Sequence, residues 1–218
     1  MSGLLLGLSL VWTGTSASEL RPAPAATALP VATQALIAAL GRPAPARTAF
    51  AEARFMRMLD RPLVVSGELA WLGGDRLQRR VEQPRAETTS IADGAVTQQR
   101  DGKSPRQFSL KRAPQLQVLL DSFVALLSGD AARLDQAFAM HQEGDGAGAW
   151  TLTLTPRDAQ VAKAVASIVI DGHAGDSRCM QLHEADGDLA VDLLGPLAAR
   201  MPARPTREAL QALCRGTR

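Results

Sequence analysis

The stretch from residue 62 to 94 alternates between apolar and polar positions and predicts three consecutive antiparallel strands. Every second residue of 63–71 is apolar or glycine, which is typical of a strand with one dry face. After a glycine-rich turn, residues 76–82 and 88–92 continue the alternation, and the third run ends at Asp93-Gly94, a strong hairpin signal. Other parts of the chain must cover the apolar face of this meander.

Helical periodicity marks two other stretches. Residues 31–40 carry Ala and Leu at helical spacing and end at Gly41, a C-cap signal. Residues 114–129 repeat apolar side chains three or four positions apart, the pattern of a strongly amphipathic helix. Asp130 can cap a second short helix that ends at Phe138. Together these two helices form an insertion, residues 114–138, that would cover the strands.

Further strands are predicted on both sides of this insertion. Arg47–Leu59 alternates weakly and indicates a strand, with a helix as the alternative. The remaining strand patterns are 95–100, 108–111, 150–155, 165–170, 178–184 and 189–193. The Asp-Gly pairs at 93–94, 101–102, 171–172 and 186–187 indicate hairpin turns, and Thr206 can cap a last helix. The sequence therefore predicts nine or ten antiparallel strands in a mainly β fold with covering helices (α+β).

The first eighteen residues have the features of an export signal. Residues 4–11 are strongly apolar, and small residues at 15–18 offer a site for a signal peptidase. The apolar run is too short to span a bilayer, and the alternative is a buried first helix. We expect a signal peptide at 1–18 and an Ala- and Pro-rich linker at 19–30.

Composition and charge argue against nucleic-acid binding. The formal net charge is +2, from 24 basic and 22 acidic residues that are intermixed along the chain. Aromatic residues make up 4%, and tyrosine is absent. Because a nucleic-acid surface usually needs a basic stripe and stacking rings, nucleic acid is not an expected partner.

Motifs for catalysis and metal binding are missing from the sequence. His141, His173 and His183 are dispersed, and Cys179 with His183 offers only two ligands for a metal. There is no Gly-x-Ser-x-Gly elbow and no Walker loop. We expect no enzyme activity, no metal and no cofactor.

The two cysteines, Cys179 and Cys214, suit an exported chain. In an oxidising compartment an even pair predicts a disulfide, which would join the C-terminal helix to a late strand. The alternative is two buried thiols.

Several short motifs together resemble the LolA-like outer-membrane lipoprotein carrier family. They are Gly-Glu-Leu-Ala-Trp at 67–71, Gln83-Pro84, Ile-Ala-Asp-Gly at 91–94 and Leu-Thr-Leu-Thr-Pro at 152–156. Their order and spacing relative to the helices carry the resemblance. It implies that residues 31–195 form an incomplete antiparallel β-barrel, or half-barrel, with helices as a lid over a hydrophobic cavity for acyl chains. The tail and last helix, 196–218, lie outside this domain.

The resemblance also shows one difference. In the family, an arginine after the strand that matches residues 67–72 holds the lid shut, and the matching position here is Gly73. That latch is therefore absent, which implies a divergent branch, so the identity of the cargo does not follow from the family.

The candidate ligand-binding residues are the apolar positions of the dry strand face and of the insertion, together with Arg79. They are Leu69, Trp71, Leu77, Arg79, Val81, Ile91, Leu119, Phe123 and Leu127. Ordinary core packing explains each apolar position equally well. Arg79 shares the face of Leu77 and Val81 by strand parity. It either pairs with a carboxylate or reaches water at the mouth, or it contacts the head group or carbonyls of an acylated ligand or latches the lid.

The resemblance implies a periplasmic, monomeric carrier that binds the acyl chains of lipoproteins or related lipids. Transfer towards the outer membrane would involve an inner-membrane donor and an outer-membrane acceptor. The alternative is a periplasmic module that senses lipid or binds a protein partner without shuttling.

Overall fold

The computed structural model describes residues 28–216, so the expected signal peptide and most of the linker lie outside the described residues. This part of the chain forms a single antiparallel sheet of eleven strands. The strands are β1 (Ala46–Phe55), β2 (Leu63–Gly73), β3 (Arg76–Gln83), β4 (Glu87–Ala92), β5 (Ala95–Arg100), β6 (Arg106–Ser109), β7 (Phe138–Glu143), β8 (Ala149–Pro156), β9 (Val165–His173), β10 (Asp176–Glu184) and β11 (Leu189–Leu194).

Five α-helices accompany the sheet in the described residues. They are α1 (Val31–Leu40), α2 (Pro114–Ser128), α3 (Ala131–Ala137), α4 (Ala159–Ala162) and α5 (Arg207–Arg215). Short 3-10 helices occupy Leu110–Arg112 and Gly195–Arg200. None of the helices within residues 28–216 combines the length and the apolar character needed to cross a membrane.

The sheet consists of two meanders that meet at its centre. The strand order is β6-β5-β4-β3-β2-β1-β11-β10-β9-β8-β7, so the first strand pairs with the last and the two edges are β6 and β7. The chain leaves one edge after β6 and re-enters at the other edge with β7. Helices α2 and α3 make this connection, so they must pass over a face of the sheet. The predicted α+β half-barrel is confirmed, because the sheet is open and helices cover it.

Strand β7 corrects the prediction at the end of the insertion. The sequence predicted that the second short helix ends at Phe138, whereas α3 ends at Ala137 and Phe138 begins the edge strand β7. Only Phe138 is fully buried in this strand, and its other positions alternate between partly and fully exposed. A pattern this short and polar does not distinguish an edge strand from a loop.

The prediction that Asp171-Gly172 forms a hairpin turn is wrong. Both residues lie inside β9, and the turn follows at Ala174, which has a φ of 48°. Gly172 faces Trp150 across β8 and β9, and a Cβ at Gly172 would lie 2.1 Å from the Trp150 ring. Asp171 is buried and accepts hydrogen bonds from Thr151 and Gln181. Asp171-Gly172 therefore contributes to hydrogen bonding and side-chain packing inside β9 and does not form a turn.

Three other boundaries differ from the predicted ones. The strand predicted over Arg47–Leu59 is β1, which ends at Phe55. The strand predicted over 108–111 gives way at Leu110 to a 3-10 helix whose start is capped by the Ser109 hydroxyl. The tail after Gly195 begins with a 3-10 helix before α5 starts.

Two hydrophobic clusters stabilise opposite faces of the sheet. The larger lies on the inner face, where α1, α2 and α3 pack on β7–β10 around Ile37, Leu134, Leu152 and Ile170. The smaller lies on the outer face, where α5 and the turn at 195–200 pack on β1, β10 and β11. As a result β11 is buried on both faces.

A disulfide between Cys179 and Cys214 fastens α5 to β10. Both cysteines are fully buried within the outer cluster, beside Leu193 and Leu210. The structure therefore has the predicted disulfide.

Removing this disulfide should destabilise the protein. The bond closes a loop with a sequence separation of 35, and the chain-entropy model gives about 4 kcal/mol for a loop of this length. We expect the free energy of unfolding of a Cys179→Ala, Cys214→Ala variant, measured by urea denaturation, to be lower than that of the wild type by a large part of this amount. A reducing agent should lower the midpoint of the wild type and leave the variant unchanged. Equal sensitivity of the two proteins to the reductant would contradict the assignment.

Gly67 is required where β2 approaches β3. The register of the two strands shifts at this position, and a Cβ on Gly67 would lie 1.9 Å from the backbone oxygen of Arg80. We expect Gly67→Ala to lower the free energy of unfolding by about 2 kcal/mol, measured by urea denaturation. Gly148→Ala is the matched control, because in the described structure a Cβ there meets no atom within 4 Å. Equal stability of the two variants would show that Gly67 tolerates a side chain.

Candidate functional site on the inner face of the half-barrel

A continuous apolar row crosses five neighbouring strands of the inner face. Residues that are direct partners in the register point to the same face, and four successive pairings connect β2 to β6. The row is Trp71, Leu77, Ile91, Val96 and Phe108. It therefore extends the dry surface from the centre of the sheet to its β6 edge.

The row is only partly buried. Trp71 and Val96 are buried, Leu77 and Ile91 are partly exposed, and Phe108 is 41% exposed. The Trp71 indole is anchored, since its Nε1 donates to the backbone oxygen of Gly74. This half of the inner face thus presents apolar surface beside the helix-covered half.

Helix α2 also carries apolar surface beyond what the core uses. Ala125 is fully buried in the inner cluster, and Leu119 and Phe123 pack against that cluster from partly exposed positions. Leu116, Leu120 and Leu127 are partly exposed as well. Apart from Ala125, which lies on the opposite side, these residues form a stripe along one side of the helix, since they recur three or four positions apart.

The structure thus places the predicted site residues in two groups. The sheet group shares the inner face, with Leu69 and Leu77 partly exposed and Val81 buried. The helix group, Leu119, Phe123 and Leu127, belongs to α2.

Arg79 lies on the inner face and pairs with a carboxylate. Its Nη2 is 2.9 Å from Oε2 of Glu52 on β1, and its guanidinium lies 4.7 Å from the centre of the Phe50 ring. Its side chain remains 33% exposed. Of the roles predicted for Arg79, the pairing with a carboxylate is present in the structure.

Beside Glu52 lies a second carboxylate, Asp192, which was not among the predicted site residues. Glu52 and Asp192 are direct partners of the central β1–β11 pair and share the inner face. Asp192 is only 6% exposed. Desolvation, with the neighbouring charge of Glu52 as a second cause, raises the pKa of Asp192 to about 7, and Arg79 and Arg54 act against this shift. A signal was present in the sequence, because Asp192 is the one charged residue of the otherwise apolar run 189–194.

Arg54 completes this charged cluster. Its Nη2 pairs with Glu184 of β10. Its Nε is buried and has no hydrogen-bond partner within the described residues. The cluster therefore comprises Glu52, Arg54, Arg79, Glu184 and Asp192.

Three carboxylates at the β10–β11 hairpin also lie close together. The ligand atoms of Glu184, Asp186 and Asp188 are within 4.8 Å of one another. Each already has a local partner: Glu184 pairs with Arg54, Asp186 accepts from the backbone of Asp188, and Asp188 accepts from the backbone of Arg57. Cys179 and His183 cannot bind a metal together as a pair of ligands, since Cys179 is in the disulfide.

Several large apolar side chains are exposed at the β1–β2 hairpin and at the start of β2. Met58 is 80% exposed and Leu63 is 52% exposed, and Leu59 and Val64 are also exposed. Arg57 and Arg61 lie in the same hairpin. Large apolar side chains clustered on a surface often mark a contact site.

The chain belongs to the family described as outer membrane lipoprotein carrier protein LolA-like, whose model matches residues 24–217. No curated protein matches the sequence significantly.

Solved structures with a similar fold have low sequence identity to this chain. The LolA superfamily protein NE2245 from Nitrosomonas europaea is 10% identical, with a TM-score of 0.38, and the match covers 74% of this chain and 89% of that one. LprF from Mycobacterium bovis is 12% identical, with a TM-score of 0.36 and coverage of 79% and 95%. MucB is 16% identical, with a TM-score of 0.36, and the match covers 83% of this chain but only 62% of MucB.

The buried Asp192 should make stability depend on pH. Its pKa in the folded state, about 7, lies above the ordinary value of the unfolded chain. The folded state therefore binds the extra proton between these values, and its stability falls as pH rises from about 4 to about 7. We expect a decrease of up to about 4 kcal/mol from this group.

The measurement is urea unfolding at pH 5 and pH 8, compared between the wild type and Asp192→Asn. The variant should gain stability relative to the wild type at pH 8, because it removes a buried charge, and should differ little at pH 5. Asp186→Asn is the control, since Asp186 is exposed. If the wild type and Asp192→Asn differ in free energy of unfolding by the same amount at both pH values, the raised pKa of Asp192 is refuted.

Proposed function

We propose that this protein is a periplasmic carrier that binds the acyl chains of lipoproteins or related acylated lipids on the inner face of the half-barrel. The observation that supports this most is the apolar row from Trp71 to Phe108, which is continuous across five strands yet only partly buried. A bound acyl chain would remove this surface from water and gain about 0.8 kcal/mol per methylene.

The stripe on α2 would supply the other wall. Leu116, Leu120 and Leu127 are partly exposed on a helix whose opposite side is seated in the core through Ala125. A helix with exposed apolar side chains can pack them against a bound ligand and needs no other packing partner. In this proposal Leu69, Leu77, Val81 and Ile91 line the sheet side, and Leu119, Phe123 and Leu127 line the helix side.

In this proposal the two arginines near the end of β2 do not take over the role of the family's latch. At the end of β2, Gly73 has a φ of 96°, and Arg76 folds back to donate to the backbone oxygens of Leu72 and Gly73. Arg79 is held by Glu52. Neither arginine would hold the helices down, so α2 would open at a modest cost and release cargo towards an outer-membrane acceptor.

A second candidate function is suggested by the exposed β1–β2 hairpin. Met58 and Leu63 offer apolar contact surface that the fold itself does not use. The protein would then bind a membrane or protein partner and sense lipid without shuttling it. Native mass spectrometry of the mature protein, with lipid extraction, tests whether the protein binds lipid, because a carrier should retain an acylated species. Transfer of that species to acceptor vesicles then separates a carrier from a sensor.

Leu77→Glu should abolish acyl binding. Leu77 occupies the second position of the apolar row, and a carboxylate there would be desolvated by any bound chain. We expect the affinity for a fluorescent fatty-acid probe to fall at least about tenfold. Gln78→Glu is the matched control, because the next residue along β3 points to the opposite face and bonds to Ser90. Equal probe binding by both variants, with unchanged thermal unfolding, would exclude the row as the binding surface.

A further inference from the structure

The carboxylates of Glu52 and Asp192 lie on the inner face between the two apolar halves of the sheet. Asp192 pairs in register with Met180 on one side, and Glu52 pairs with Val65 on the other. Met180 packs against the helix-covered core. The two carboxylates therefore lie at the boundary between the helix-covered strands and the strands that carry the apolar row.

The two carboxylates differ in how they are satisfied. Glu52 is paired with Arg79. Asp192, although almost fully buried, has no hydrogen bond to its side chain within the part of the chain that the structure describes. A buried carboxylate without a hydrogen bond carries a desolvation cost that a hydrogen-bond donor relieves in part and that a proton or a cationic partner relieves most, because it also offsets the charge.

The arginines of the cluster do not supply this partner. Arg79 is held by Glu52, and the Nη2 of Arg54 is paired with Glu184. With all groups ionised, Glu52, Asp192 and Glu184 carry three negative charges, and Arg54 and Arg79 carry two positive ones. The cluster therefore has one negative charge in excess, located at its most buried carboxylate.

We propose that Glu52 and Asp192 bind the protonated amino group of an acylated ligand whose hydrocarbon chain lies on the apolar row. This inference rests on the proposed acyl-binding function and specifies the chemistry of its head group. The ammonium donates to Asp192 and neutralises the excess charge, which makes it a better occupant than a hydroxyl. An anionic phosphate or carboxylate head group is repelled, because it would enter beside two carboxylates while both arginines are already paired.

Two sources supply this chemistry. A lipid can carry the amine on its head group, or an acylated peptide can carry it on a lysine near the acylated end. In both, the ammonium lies close to the start of the hydrocarbon chain, which would run from the cluster along β2 past Leu69 to the row at Trp71. Leu69 and Arg79 form the register pair between the row and the cluster.

The test measures displacement of the neutral fluorophore N-phenyl-1-naphthylamine from the mature protein at pH 8. The competitors have the same chain length and different heads: dodecylamine, dodecanol and dodecanoate. A second pair, N-dodecanoyl-lysine methyl ester and N-dodecanoyl-norleucine methyl ester, represents the peptide source. We expect the amine to bind at least about tenfold more tightly than its uncharged match, as a charge-assisted hydrogen bond provides, and dodecanoate to bind most weakly.

Substitutions connect the preference to the cluster. Asp192→Asn should bring dodecylamine to the affinity of dodecanol, and Glu52→Gln should reduce the preference. Dodecanol itself should bind each variant as it binds the wild type, which reports that the apolar surface is intact. Glu68→Gln is the control, since Glu68 pairs with Arg47 on the opposite face, and it should keep the preference.

The outcomes separate the two levels of the proposal. A preference for dodecylamine supports a lipid amine, and a preference for the lysine ester alone supports an acylated peptide. Equal binding of all heads, or a preference that survives Asp192→Asn, overturns the head-group inference and leaves acyl binding in place. Failure of every competitor and of the fluorophore to bind overturns both.

Discussion

The pairing of the first strand with the last determines the architecture of this protein. Because β1 joins β11 at the centre of the sheet, the two free edges are β6 and β7. Those edges are consecutive in sequence, so the chain must travel from one to the other between Ser109 and Phe138. The only short route is over a face of the sheet, and α2 and α3 take it. Helical cover on one face is thus a consequence of the topology.

This cover is unequal. Helices α1, α2 and α3 bury the inner face of β7–β10 in the larger cluster, while the inner face of β2–β6 keeps partly exposed apolar side chains such as Leu77 and Ile91. A filled core would stabilise the protein further but would leave no room for a hydrocarbon chain. The partly covered half is therefore the physical basis of the binding function that we propose, and the disulfide and α5 stabilise the sheet from the other face.

The central strand pair also carries the charged cluster. Packing by α5 buries the outer face of β11, and on the inner face Asp192 is only 6% exposed, so its carboxylate is desolvated at the centre of the sheet. The desolvation cost of Asp192 is partly offset within a network of two arginines and two further carboxylates. Buried polar groups of this kind are retained where they contribute to specificity or function more than to stability.

The sequence alone determined the local elements and the class of fold. Its period of two located the meander of β2–β4, its period near 3.6 located α1 and α2, and strand parity placed Arg79 with Leu77 and Val81. These patterns depend only on neighbouring residues, as do the caps and turns. The same reasoning failed at β7, where the pattern is short and polar, and at Asp171-Gly172, where the Trp150 ring demanded a glycine inside a strand.

Only the tertiary structure decided which distant residues meet. Glu52 and Asp192 are adjacent because β1 pairs with β11, and no local pattern encodes which strand pairs with which across the chain. The extent of burial likewise depends on where α2 lies, so the same leucine pattern fits a filled core or an open wall. Sequence periodicity reports which face a side chain occupies, whereas long-range pairing determines what lies opposite that face.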